Sequence, residues 1–162
     1  MDIAKRLDAA HELMTSEGAD VMLVASNELA RIDTVFHLTG YRALGESLAV
    51  LARDDAPTLI VTPEWETERA EARAIGWKIR GAEDLVEAVA ALFPRGLPRG
   101  KTATAGLGKL RAATGRRLAA LAGDAKKLDK ALEAALMPKT AAEIENARRA
   151  TEIGRASCRE RV

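Results

Sequence analysis

Cysteine is almost missing from this 162-residue chain, and its single copy, Cys158, stands close to the C-terminus. Without that residue, intrachain disulfides, thiolate metal sites and a cysteine nucleophile are all excluded. Aromatic residues are nearly as scarce at 3%, against 48% hydrophobic residues overall, so the core must be aliphatic. Neither sign of charge dominates: 25 Lys and Arg face 24 Asp and Glu, with no basic cluster. The electrostatic footprint of a nucleic-acid-binding protein is therefore lacking. No apolar run approaches the roughly 20 residues of a membrane span. The N-terminal MDIAKRLDAAHELM is interrupted by charge throughout, unlike a signal peptide. These absences point to a soluble, cytoplasmic protein that contacts neither nucleic acid nor membrane.

The last ten residues, Ile153–Val162, read IGRASCRERV and resemble the in-frame translation of a sequencing adapter. On this reading the natural sequence stops near Thr151 or Glu152, in mid-helix. Leaving out the tail's three arginines and one glutamate takes the formal net charge from +1 to about −1. It also takes away the only cysteine. About 150 residues remain, enough for one domain with its own core.

What is present alternates between helical and extended patterns. Ile3, Leu7, Ala10 and Met14 recur at helical spacing, with Gly18 placed to end the helix. Val21–Ala25 is a buried-strand run. Thr34–Leu38 is extended or helical and closes at Thr39-Gly40. Leu48–Ala52 and Thr58–Thr62 form a hairpin around the polar stretch Arg53–Pro57. Thr62 as N-cap, Pro63 and the following acids open a helix reaching Ile75, and Trp77–Ile79 is a minimal strand. Leu85–Phe93 is an amphipathic helix, Pro94–Gly100 a loop, Lys101–Ala105 a weak strand and Leu110–Leu121 a further helix. A last helical piece, Lys130–Met137, precedes Pro138. Thr140 to Glu143 is then a capping box that opens a helix with Ile144 and Ala147 on its apolar side. Alternating strands and helices with one hairpin predict an α/β fold, a mixed β-sheet flanked by helices in three layers.

The candidate chemistry is thin. His11 and His37 stand alone, without an HExxH or a carboxylate–histidine cluster, and read as structural or surface residues. Gly96–Thr102 is one residue short of a P-loop and follows a helix, the reverse of the order that aims a helix N-terminus at phosphate. Gly106 and Gly108 are half a dinucleotide fingerprint and read as turn glycines. Glu64, Glu66, Glu68 and Glu71 read as a solvated face, and Trp65 and Trp77 as packing residues. No residue is assigned a catalytic or metal-binding role.

Three segments carry a family resemblance. VFHLTGY (Val35–Tyr41) is similar to the YLTGF-type segment of the creatinase/prolidase N-terminal domain. Leu48–Ala72 is similar to the hairpin and TPEWETERA-type run that follow there. LMPKTAAEIENARRAT (Leu136–Thr151) resembles the R-x-I-K-S-x-x-E-I-x-x-I-R-x-A helix leading into the catalytic domain. The matches there are Lys139, Thr140 for serine, Glu143, Ile144, Arg148 and Ala150; Pro138 and Ala147 depart from the pattern.

The resemblance implies a domain with a ribonuclease H-like motif over residues 1–137. Residues 138–152 would be the linker and first helix of a missing catalytic domain, and residues 153–162 a non-native tail. It further implies a pita-bread catalytic domain holding two divalent metals of the Mn, Zn or Co type. That domain would act on X-Pro peptides or on amide and amidino substrates such as creatine, and this chain would have no cofactor of its own. It implies a homodimer or higher homo-oligomer in which the loop Tyr41–Glu46 lies near a neighbour's substrate entrance. Tyr41, Arg42 and, less directly, Arg31 are then the substrate-entrance candidates, since an arginine can grip a carboxylate through paired hydrogen bonds. The alternative is a stand-alone or pseudoenzyme module that binds peptide or protein without hydrolase activity.

Overall fold

The computed structural model describes residues 2–138 and 141–159. Helix α1 (Ile3–Ser16) starts at Asp2, whose carboxylate accepts from Lys5 N at 3.2 Å. Strand β1 (Val21–Ser26) is wholly buried. Helix α2 (Thr34–Thr39) leads to β2 (Ser47–Ala52) and β3 (Asp55–Val61). A 3-10 turn (Glu64–Glu66) and α3 (Thr67–Glu71) precede β4 (Lys78–Gly81). Helix α4 (Leu85–Leu92), β5 (Thr102–Ala105), a 3-10 turn (Leu107–Lys109) and α5 (Ala112–Ala122) follow. The two-residue β6 (Lys126–Lys127), α6 (Asp129–Leu136) and α7 (Ala141–Arg159) complete the order.

The six strands form one sheet in the order β4-β3-β2-β1-β5-β6. The middle is antiparallel, with β2 paired to both β1 and β3, whereas β3/β4, β1/β5 and β5/β6 are parallel. Alternation along the strands splits the core into two faces. Met22, Val24, Ala49, Leu51, Leu59 and Val61 point toward the side covered by α1, α2 and α6. Val21, Leu23, Leu48, Val50 and Ile60 point toward the side covered by α4 and α5. The result is the expected three-layer mixed α/β sheet. Both edges are short and basic: β4 carries Lys78 and Arg80, and β6 is a lysine pair.

Several element boundaries differ from expectation. The hairpin turn shrinks to Arg53-Asp54, because β3 begins at Asp55 and absorbs a bulge. Pairing passes from Ala52↔Asp55 to Val50↔Thr58, so Ala56 and Pro57 fall where the ladder is irregular and the absent proline N–H is not missed. Thr62 is not a helix cap. Its N–H and its hydroxyl both donate to Glu46 O, at 3.0 and 2.9 Å, so it finishes β3 instead. The helix expected to reach Ile75 is a 3-10 turn followed by α3, which stops at Glu71. Trp65 is 63% exposed, not packed, while Trp77 is buried as expected. β6 was not legible as a strand. Thr140, half of the expected capping box, and Lys139 lie outside the described residues, as do Glu160–Val162 at the end of the tail.

Candidate functional site

The loop between α2 and β2 is built around two buried glutamates. Asp33 caps α2, accepting from Phe36 N at 2.9 Å, and Gly40 closes the helix at φ 73°. Thr39 then ties off the turn: its hydroxyl donates to Val35 O at 2.9 Å and accepts from Tyr41 N at 3.0 Å. The Tyr41 ring turns inward, and its hydroxyl donates to Glu66 Oε2 at 3.0 Å. Leu44 N donates to Glu66 Oε1 at 2.8 Å, and the Arg69 guanidinium lies 3.4 Å from the same oxygen. Glu66 is fully buried, so these donors replace its water. Burial, and then the hydrogen bond to Glu66, push the Tyr41 phenol up to about 12.

At the other end of the loop, Glu46 is also buried. Its carboxylate accepts from Arg111 N at the start of α5 and from Thr114 Oγ1 at 3.2 Å. Pinned at both ends, the loop alternates: Tyr41 and Ala43 face in, Arg42 and Leu44 face out. Arg42 rests with Nε 3.6 Å from Asp33 Oδ2 and its guanidinium 5.9 Å from the Phe36 ring centroid. Its side chain is 60% exposed, so it stays available to a partner.

The three candidates therefore take different places. Arg42 is on the surface, Tyr41 is inside, and Arg31 is exposed on the bend before α2. No hydrogen bond or ion pair among the described residues joins Arg31 to either of the others. The residue missed from sequence is Glu66, read as part of a solvated face. A usable signal existed: Glu66, Ala70 and Ala74 are spaced four apart, and all three are buried.

The remaining features behave as scaffold. Gly96 and Gly100 take positive φ in the loop before β5, and Thr102 Oγ1 donates to Pro98 O at 2.8 Å. Gly106 takes φ 75°, and a Cβ there would lie 2.1 Å from Ala25 O, so close approach of two backbones demands glycine. Among the described residues, no group of three or more His, Cys, Asp and Glu could hold a metal ion. The described residues therefore offer no set of ligands for a dinuclear centre, and no catalytic step is assigned to them.

A family model for the creatinase/prolidase N-terminal domain matches residues 6–149. No curated protein matches the chain. Among solved structures, it is similar to the prolidase of Pyrococcus horikoshii at 22% identity and a TM-score of 0.68, covering 92% of this chain and 40% of that one. The X-Pro aminopeptidase of Thermotoga maritima aligns at 18% identity and a TM-score of 0.67, over 86% of this chain and 38% of that one. A creatinase/prolidase N-terminal domain of an X-Pro dipeptidase from Streptococcus pyogenes aligns at 23% identity and a TM-score of 0.56, covering 76% and 98%. The chain thus spans about two fifths of the length of the longer relatives.

Proposed function

Because the chain belongs to the creatinase/prolidase N-terminal domain family, we propose that it is the non-catalytic first domain of a metal-dependent hydrolase. The hydrolase would be of the Xaa-Pro dipeptidase, Xaa-Pro aminopeptidase or creatinase type, and this domain would shape substrate entrance and oligomerisation. The observation that carries this reading is the match over residues 6–149 to a domain occupying about two fifths of longer relatives, one named as a prolidase and one as an X-Pro aminopeptidase. The loop geometry supports it. Two buried glutamates fix the 41–46 backbone while Arg42 projects outward, which suits an arginine that meets a substrate carboxylate at a neighbour's site. The two divalent metals would come from the catalytic domain.

The test is to sequence the source DNA across the codons for Thr151–Ile153. The expected outcome is a frame that continues for roughly 200 residues or more, the size of a second domain, and encodes two aspartates, a histidine and two glutamates as ligands. A continuing frame without those ligands would favour a binding module of peptide or protein. A stop codon directly after IGRASCRERV would overturn the multidomain reading. Light scattering on the purified chain tests oligomerisation separately, and a strict monomer at high micromolar concentration would remove that role.

A further inference from the structure

Arg6 is the only cation among the described residues whose side chain is buried. Its Nη2 donates to both carboxylate oxygens of Glu143, at 2.9 and 3.1 Å, joining α1 to α7. Its Nη1 is enclosed yet has no hydrogen-bond partner, and the same holds for Nδ1 of His37. Both side chains line one cavity of ≈ 170 Å³, completed by Leu136, Met137 and Glu143. A buried polar atom without a hydrogen-bond partner costs about 1–3 kcal/mol, more for a charged group, so the Arg6 N–H and the His37 ring nitrogen in one cavity call for an occupant.

The wall chemistry defines that occupant. A guanidinium fork is best met by a carboxylate oxygen. Burial, followed by the charge of Arg6, lowers the affinity of His37 for a second proton, so the neutral ring can place its one N–H on Nδ1 and donate to the same anion. Leu136 and Met137 supply an apolar wall. The volume is close to the roughly 150 Å³ of a cavity that admits benzene, which suits an acid of a few carbons. We propose that this cavity binds a small free monocarboxylate with a short apolar tail, its carboxylate on Arg6 Nη1 and His37 Nδ1 and its tail on Leu136 and Met137.

Charge adds a pH dependence. Glu143 shares the guanidinium of Arg6, and an incoming carboxylate brings a further negative charge beside the His37 ring. The charged groups acting on His37 are Arg6 on α1, Glu143 on α7, Asp33 before α2 and Arg42 after it. A bound carboxylate raises the proton affinity of His37 above its lowered free-state value, so binding strengthens as the pH falls toward and below the ordinary histidine range.

The experiment uses the full chain and propionate as probe, followed by proton–carbon NMR of the two histidine rings. Saturable movement of the His37 signal is expected, with His11 unmoved and no response to sodium chloride at equal ionic strength. Arg6→Gln should weaken binding at least tenfold. Should that variant fail to fold, Met137→Trp carries the test: residue 137 is half-exposed, so the indole should block the cavity and abolish binding with little change in melting temperature. Equal responses to propionate and chloride, no saturation below about 100 mM, or full binding by Met137→Trp would each overturn the site. Tighter binding of a capped glutamate (acetyl-Glu-amide) than of propionate would overturn the free-ligand assignment and transfer the cavity to a protein carboxylate.

Discussion

Tyr41 and Glu66 hold each other in the interior, and the pair sets what each can do. With Tyr41→Phe, Glu66 Oε2 loses its hydroxyl donor while staying buried, which should cost about 1–3 kcal/mol. A urea denaturation midpoint checks this. Tyr41 is the only tyrosine of the chain, so ultraviolet titration reports it alone. The expected result is no ionisation of the folded protein until about 12. The sign of the linked effect follows. An unfolded phenol loses its proton near 10 and the folded one does not, so stability from this group is complete below pH 10 and falls between pH 10 and about 12. Sequence singled out Tyr41 and Arg42 as neighbours in one loop but not that they face opposite ways. The alternation of an irregular loop depends on what anchors it, and the anchor, Glu66, is 25 residues away. An acidic residue in a charged run reads as solvated because the partners that bury it, Tyr41 and Leu44, come from another part of the chain.

Among the elements, α4 and α5 offer the sharpest tests. Asp84 caps α4 by accepting from Val86 N and Glu87 N at 2.8 and 3.1 Å, and it meets Arg117 of α5 at 2.5 Å. The Arg117 hydrogen bond, followed by the backbone N–H of Glu87, holds its carboxyl below the ordinary value. Its contribution is therefore present above about pH 4 and lost as the pH falls further. Asp84→Ala should cost about 1 kcal/mol in thermal or denaturant unfolding near neutral pH. Gly115 stands inside α5, where alanine would ordinarily add about 0.5–1 kcal/mol. Here a Cβ would sit 2.6 Å from Leu107 O, so Gly115→Ala should lower the melting temperature instead of raising it. The long helices and central strands were legible because their apolar spacing is regular. The stretch after β3 was not: Thr62 and Pro63 carry every local sign of a helix start, but the β2–β3 ladder takes the Thr62 donors first. β6 is two lysines paired in register with β5, and periodicity cannot show in so short a piece.

For the molecule as a whole, α7 and the globular part meet where Arg6 grips Glu143. Ending the chain at Met137 should leave Arg6 without its carboxylate. The loss should fall short of the roughly 3–5 kcal/mol of a fully buried pair, since water can enter from the vacated side. Arg6→Met in the shortened chain should recover most of it, as calorimetry of the three proteins would reveal. If the shortened chain is as stable as the full one, the pair is not an anchor. The alternation of strands and helices announced an α/β class, whereas strand order was hidden. Placing β1 between an antiparallel β2 and a parallel β5 depends on contacts about 80 residues apart.

The short basic edges of the sheet have a consequence for assembly. A strand added at β4 would find four residues to pair with, and at β6 two, and each side places like charges opposite like charges when two copies meet. Continuation of the sheet from one copy into the next is thereby discouraged at both ends. Copies of this domain that come together are left with helices and loops, not sheet edges, as the surfaces to dock through.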